Sequence, residues 1–222
     1  LNYGPNKIYL KEFFIKITEL GNSFWYFSAI LLVFIFLFLV KKMSFMFFKN
    51  TQDLKNFCVS SLIYFVLVGL VTQAIKHLVG RPRPNHSDFG QNYGFNFFST
   101  DSAFHSFPSG HSSTIIAVVL VAGLLIPSLR LFFYFFGFLI AISRVVVGAH
   151  FITDVVSGAI IAIMLLKILE FYFEKKFPRL SFKLYRIKNI SLLVRSFLVL
   201  SVVSVFITVG FSIDVFFSSL FY

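Results

Sequence analysis

FHSFPSGHSSTIIAVVL, residues 104–120, sets two histidines, a proline, a glycine and four serines directly against an apolar run. Polar groups at the edge of hydrocarbon are costly, so the meaning of this stretch depends on what surrounds it. Of the 222 residues, 58% are hydrophobic and only 13% charged, and the mean hydropathy is +0.86. A soluble domain of this size needs about twice that charge to wet its surface. The chain is therefore expected to be a single integral membrane domain over residues 1–222, all-α, built as a polytopic transmembrane helical bundle.

A helix needs roughly 20 apolar residues to cross the hydrocarbon layer. Six runs meet or approach that length: 24–40, 59–79, 112–126, 129–147, 151–172 and 192–216. The first and third are short and borrow flanking polar residues. The last is long enough to overrun the bilayer or to break near Gly210. No period of 20–50 residues recurs, which excludes solenoid arrays.

The net charge of +11 would suggest nucleic acid in a soluble protein. Here the cations cluster between apolar runs: Lys41, Lys42, Lys49 and Lys55 after the first, Arg130 between the third and fourth, and Lys175, Lys176, Arg179, Lys183, Arg186 and Lys188 after the fifth. With six alternating spans all three segments share one side, which the positive-inside rule makes cytoplasmic. No nucleic-acid partner is expected, and the phospholipid bilayer itself is the surrounding partner. Anionic lipid could also draw the stretch at 175–188, but topology signalling accounts for it.

Residues 1–23 then lie outside, with the loop at about 80–111, the turn near 148–150 and the C-terminus. IYLKEFFIKITELG (8–21) carries apolar residues at helical spacing, as expected for an interfacial helix leading into Trp25 and Tyr26 as belt residues. The tail of a truncated span is the alternative, and the chain starts at Leu1 rather than Met, as a fragment lacking an upstream segment would. The single cysteine, Cys58, has no intramolecular partner and reads as a packed thiol.

With the spans placed, Lys76 and His77 end the second, His111 starts the third, Arg144 ends the fourth, and His150 and Asp154 start the fifth. These helices alternate in direction, yet every one of these residues falls at the outer end. Charges at membrane depth usually share a polar cavity, so one site is expected rather than six independent interfacial residues. Lys167 and Glu170 lie at the inner end, where snorkelling explains them.

Lys76, Arg81, Arg83 and Arg144 are cationic, and Asp154 is the only carboxylate in the group. Several cations without a carboxylate cluster describe an anion site, and the arginine fork favours phosphate. Two histidines and one aspartate are too few for an expected metal centre. No cofactor is indicated, since the chain has neither a G-x-x-x-x-G-K-[ST] loop nor an HExxH motif.

His150 and Asp154 stand four apart on a helix and can hydrogen-bond, the arrangement in which a carboxylate fixes an imidazole tautomer. An i,i+4 surface pair is the bland alternative, poorly motivated at the lip of a span. His111 is a second imidazole, which suits a nucleophile on one face of phosphorus and a proton donor on the other. Pro82 and Pro84 stop the second span at about Gly80 or Arg81. Ser109 or Ser112 can cap the helix that follows Pro108, and Ser113 packs behind the cap. Gly110 lets backbone amides approach an anion at that helix start.

Read as patterns, KHLVGRPRP (76–84) is K-x6-R-P, PSGH occupies 108–111, and SRVVVGAHFITD (143–154) is S-R-x5-H-x3-D. Together, in this order, they resemble the three-part signature of the type 2 phosphatidic acid phosphatase superfamily. The resemblance covers a core of about 59–172, with 192–216 as an additional C-terminal span. It implies a metal-independent phosphatase in which His150 attacks phosphorus to form a phosphohistidine, oriented by Asp154, while His111 protonates the leaving oxygen and later activates water. Lys76, Arg83, Ser109, Gly110 and Arg144 would hold the phosphate. In that family the first motif usually follows the third span. Here it follows the second, which implies a missing upstream span and an extra one at the C-terminus.

The family's soluble acid phosphatases and vanadium-dependent haloperoxidases are excluded by the apolar spans. Its membrane members act on lipid A, undecaprenyl pyrophosphate, phosphatidylglycerol phosphate or phosphatidate. ITELGNSFWYF (17–27) is similar to the corresponding stretch of bacterial lipid A 1-phosphatases, which puts lipid A 1-phosphate first, in the bacterial inner membrane with the site facing the periplasm. Phosphotransfer to a lipid hydroxyl is a neighbouring expectation. A non-enzymatic lipid carrier would need neither His111 nor the His150–Asp154 pair. Arg81 and His105 are candidate headgroup contacts, while for His86, Asp88, Asp101 and also His105 a plain polar loop role weighs more heavily. Nothing in the residues speaks to oligomeric state.

Overall fold

The computed structural model describes residues 51–85 and 94–182, together with Phe14. The interfacial helix expected over 1–23, the spans expected at 24–40 and 192–216, the belt residues Trp25 and Tyr26, His86 and Asp88, and the basic residues before 51 and after 182 all lie outside the described residues. The described chain is all-helical and has no strand.

Helix α1 runs Thr51–Val79, α2 Gly110–Leu125, α3 Arg130–Val146 and α4 Ile152–Lys176. Three stretches are long and apolar enough to cross a membrane: Asn56–Val79, Pro127–Val146 and Ile152–Lys176, with mean hydropathies of 2.0, 1.8 and 2.1. At 1.5 Å per residue, α2 is about 24 Å long, short of the roughly 30 Å hydrocarbon layer. The expected inner boundary of the fifth run, Tyr172, lies four residues before the observed helix end at Lys176, because Lys and Glu continue a helix as readily as apolar residues do.

Proline and glycine set the helix ends. α1 stops at Gly80, whose φ of +57° closes the last turn through Gly80 N–H to the Lys76 carbonyl at 3.0 Å. The Gly80 carbonyl accepts the Asn96 amide at 2.8 Å, so the loop returns across the helix end. A β-carbon at Gly80 would fall 1.6 Å from the Asn96 carbonyl oxygen. Gly80→Ala is therefore expected to cost about 2–4 kcal/mol from left-handed strain and backbone collision. Thermal unfolding in detergent measures it, and a wild-type midpoint would remove this closure from the account.

α2 ends at Ile126, before Pro127, and a single turn at Pro127–Leu129 feeds α3. After α3 the chain reverses within five residues, with Gly148 at φ +73°. The Ala149 and His150 amides both donate to the Arg144 carbonyl, at 3.1 and 3.2 Å, which pins His150 to the end of α3.

α2 is the central helix and packs against the other three, while α1 also packs on α4. One core joins Phe57, Tyr64 and Val68 of α1 to Ala117 and Val121 of α2 and Leu166 and Phe173 of α4. A second joins Ile115 and Val119 to Phe133 and Ile140 of α3. Small residues permit the close approaches: a β-carbon at Gly137 would meet Val119 at 2.9 Å, and one at Gly158 would meet the Ser109 carbonyl oxygen at 2.6 Å. Cys58 is free and buried. The outer faces remain apolar, with Leu70, Leu131, Phe138 and Phe171 all more than half exposed, as a bundle bathed in lipid requires.

Candidate active site

The alternation of helix directions decides where the polar residues go. α1 and α3 end, and α2 and α4 begin, at the same end of the bundle, while Arg130, Lys175 and Lys176 mark the opposite end. Lys76 lies in the last turn of α1, Arg83 in the loop beyond it, His111 in the first turn of α2, Arg144 in the last turn of α3, and Asp154 in the first turn of α4. The charges of Arg144, His150, Lys76 and Arg83 all act on His111, and those of Arg83, Asp154 and Arg144 act on Lys76. The expected site residues are thus brought together. Lys76, Arg144, His150 and Asp154 are buried, at 9% exposure or less.

The connection between α1 and α2 is held as a pair of antiparallel segments. The Arg83 amide donates to the Ala103 carbonyl at 2.9 Å and the Ser106 amide to the Arg81 carbonyl at 3.0 Å. The Arg83 side chain adds a bond from Nε to the Ser102 carbonyl at 3.0 Å. Lys76 Nζ donates to the His105 carbonyl at 2.8 Å, leaving its other two protons for a ligand.

Ser109 is the N-cap of α2. Its Oγ accepts the Ser112 amide at 3.3 Å and the Ser112 hydroxyl at 2.9 Å, and its own amide donates to the Asp154 carbonyl at 2.9 Å. These bonds leave the Gly110 and His111 amides at the helix start, where an anion is favoured. Ser113 donates to the Gly110 carbonyl at 3.0 Å and receives Thr72 Oγ1 at 3.1 Å, which ties α1 to the start of α2. Gly158 lies directly behind this turn, and its missing side chain lets α4 reach Ser109.

The His150–Asp154 relation differs in detail from its expectation. Nδ1 of His150 lies 3.7 Å from Asp154 Oδ2, outside hydrogen-bond range, and donates instead to the Ser106 carbonyl at 2.7 Å. Asp154 Oδ2 receives the Ser106 hydroxyl at 2.5 Å and the Phe151 amide at 2.8 Å, while Oδ1 receives Arg81 at 2.7 Å. The amide bond is the reach-back of an acidic residue at the third helical position. Burial pushes the His150 imidazole below its ordinary range; Asp154 opposes this, and Lys76, Arg144 and Arg83 reinforce it. At neutral pH the ring is therefore uncharged, with a proton on Nδ1 and a lone pair on Nε2.

The two candidate headgroup contacts point into the protein. Arg81 Nη1 also donates to Thr153 Oγ1 at 2.7 Å, and its guanidinium stacks over the Phe151 ring at 4.1 Å. His105 Nε2 donates to the Ser99 carbonyl at 2.8 Å and meets His77 edge to face at 4.4 Å. Asp101 caps the short turn at Ser102–Phe104 through the Ala103 amide at 2.9 Å. Ser106, Thr72 and Gly158 were not singled out from sequence. Ser106 had one usable signal, its place two residues before Pro108 in a loop that must pass into the bundle.

Comparison with known proteins gives a consistent assignment. The description of the PAP2 superfamily matches residues 57–178. The chain is 33% identical over 156 residues to a lipid A 1-phosphatase of Rhizobium etli, covering 67% of this chain and 65% of that one. It is 38% identical over 113 residues to a lipid A 1-phosphatase of Rhizobium johnstonii, covering 50% of this chain and 46% of that one. The chain therefore spans between about half and two thirds of the length of these relatives. The transmembrane PAP2 type phosphatidylglycerolphosphate phosphatase from Bacillus subtilis superposes with a TM-score of 0.54 at 26% identity, over 79% of this chain and 80% of that one. With more than half of its length matched by the family description and its helices arranged as in a solved member, the chain belongs to the PAP2 superfamily.

Proposed function

We propose that this protein is a metal-independent lipid phosphatase of the bacterial inner membrane, acting at the periplasmic leaflet through a phosphohistidine on His150. The observation that carries this reading is the convergence of Lys76, Arg83 and Arg144 with two imidazoles at one end of the bundle. Lipid A 1-phosphate is the proposed substrate, supported by the two lipid A 1-phosphatases to which the chain is similar. The proposed topology has six spans within one membrane domain, with 59–172 as its catalytic core and Arg130, Lys175 and Lys176 on the cytoplasmic side.

Lys76, Arg83 and Arg144 hold the phosphate with Ser109, Gly110 and the amides at the start of α2. The lone pair on His150 Nε2 forms the P–N bond as the P–O bond to the lipid breaks. His111, charged once the bound phosphate offsets the cations around it, gives its proton to the departing oxygen. The positive charge that develops on the phosphorylated ring is stabilised by Asp154. His111 then takes a proton from water, whose oxygen attacks phosphorus, the P–N bond breaks, and inorganic phosphate leaves.

Phosphate release is tested on lipid A, undecaprenyl pyrophosphate and phosphatidylglycerol phosphate, side by side, in excess chelator. Lipid A is expected to show the highest kcat/KM, unaffected by chelator. Preference for either other lipid replaces the substrate and keeps the chemistry. Loss of turnover in chelator overturns the metal-independent reading. Binding of all three lipids without turnover indicates a carrier.

A further inference from the structure

The loop residue Ser106 belongs to none of the three sequence motifs, yet it is fully buried and touches both members of the His150–Asp154 pair. Its carbonyl accepts the Nδ1 proton of His150 at 2.7 Å, and its hydroxyl donates to Asp154 Oδ2 at 2.5 Å. Its amide is fixed in turn by the Arg81 carbonyl at 3.0 Å. The residue is thus held through both its amide and its carbonyl beside the imidazole. Direct contact between the pair is longer, at 3.7 Å, and the carboxylate is already occupied by Ser106, the Phe151 amide and Arg81.

We infer that Ser106 is the positioning residue of His150: its carbonyl sets the Nδ1–H tautomer that aims Nε2 at phosphorus, and Asp154 orients the ring through Ser106 rather than by bonding it. A backbone acceptor has a physical advantage here. A carbonyl oxygen accepts the Nδ1 proton without the full negative charge by which a carboxylate favours a second proton on the ring, so the ring stays uncharged and ready to attack. Asp154, held one layer back, still lies near enough to stabilise the charge that appears once phosphorus is bound. Its third donor, Arg81, locks Oδ1 and keeps the carboxylate from turning toward the ring. The charged and titratable groups around His150 are Lys76 of α1, Arg81 and Arg83 of the loop, His111 of α2, Arg144 of α3 and Asp154 of α4.

This inference rests on His150 being the nucleophile, and the test separates the two. In full-length detergent-solubilised protein, Ser106→Ala, His150→Ala and wild type are compared for phosphate release from lipid A and from phosphatidylglycerol phosphate across pH. Ser106→Ala removes the 2.5 Å donor from Asp154 Oδ2, whose less compensated charge then acts more strongly on the nearby ring and raises its basicity. The expected result is a kcat lowered about 10- to 100-fold, as for loss of one hydrogen bond to a charged group. KM stays within about twofold, since Ser106 does not touch phosphate, and the acid limb of kcat/KM moves to higher pH. A lowered kcat with an unmoved acid limb indicates a merely structural residue and overturns the inference, as does wild-type kcat. An active His150→Ala overturns the nucleophile itself and is distinguishable at once. Should Ser106→Ala not fold, the nitrogen-15 spectrum of histidine-labelled wild type, with His150 identified by its loss in His150→Ala, gives the tautomer directly. A proton on Nδ1 in neutral His150 supports the inference, and a proton on Nε2 overturns it.

Discussion

His150→Ala is expected to lose phosphatase activity by roughly a thousandfold or more, the scale seen when a covalent nucleophile is removed and only binding and charge stabilisation remain. Wild type quenched in alkaline denaturant should carry a base-stable, acid-labile phosphate that His150→Ala lacks. Wild-type turnover in the variant would move the nucleophile elsewhere. The pH dependence follows from the environment of the same ring. Attack needs the uncharged imidazole, and burial places its pKa below the ordinary value of about 6.5. The nucleophile is therefore uncharged and ready at neutral pH, and the acid limb of the profile follows its protonation as pH falls through that lowered value. An acid limb above the ordinary imidazole range would contradict a buried His150 surrounded by Lys76, Arg144 and Arg83.

Asp154→Ala is expected to lower stability by about 3–5 kcal/mol, in addition to impairing turnover. The carboxylate is fully buried and receives Arg81, Ser106 and the Phe151 amide, so its removal strands three donors at once. Two of them hold the α1–α2 connection to α4, and the third starts α4. Arg81 is only partly buried, with a quarter of its side chain exposed, so it loses less than Ser106 does when its partner goes. Thermal unfolding of Asp154→Ala, Arg81→Ala and the double variant measures the coupling. Strict additivity, with no energy shared between the two sites, would falsify the ion pair as a structural tie. A midpoint for Asp154→Ala within about a degree of wild type would do the same for the whole carboxylate hub.

Much of the architecture was legible in residue type and spacing. The apolar runs at 129–147 and 151–172 correspond to helices of nearly the same extent and that at 59–79 to the outer part of α1, which begins eight residues earlier at Thr51, because hydrocarbon length and backbone satisfaction leave few alternatives. Pro82 and Pro84 announced the end of α1, since proline cannot donate and restricts the residue before it. Alternating helix direction, counted from those ends, already placed Lys76, His111, Arg144, His150 and Asp154 at one level.

The chain's sequence, then, determined by itself the described helices, the shared level of the charges and the cationic character of the site, since each follows from local pattern or from counting along the chain. Tertiary structure alone decided the partners. That Nδ1 of His150 bonds the carbonyl of Ser106 could not be read, because a backbone acceptor has the same chemistry at every residue and only the folded loop brings this one to the ring. That Arg81 turns inward to Asp154, and that Gly158 makes room for Ser109, depend on how α4 meets the α1–α2 connection across gaps of 73 and 49 residues. Spacing within a helix fixes which side chains share a face; which of several nearby donors and acceptors they choose is settled by distances that only packing sets.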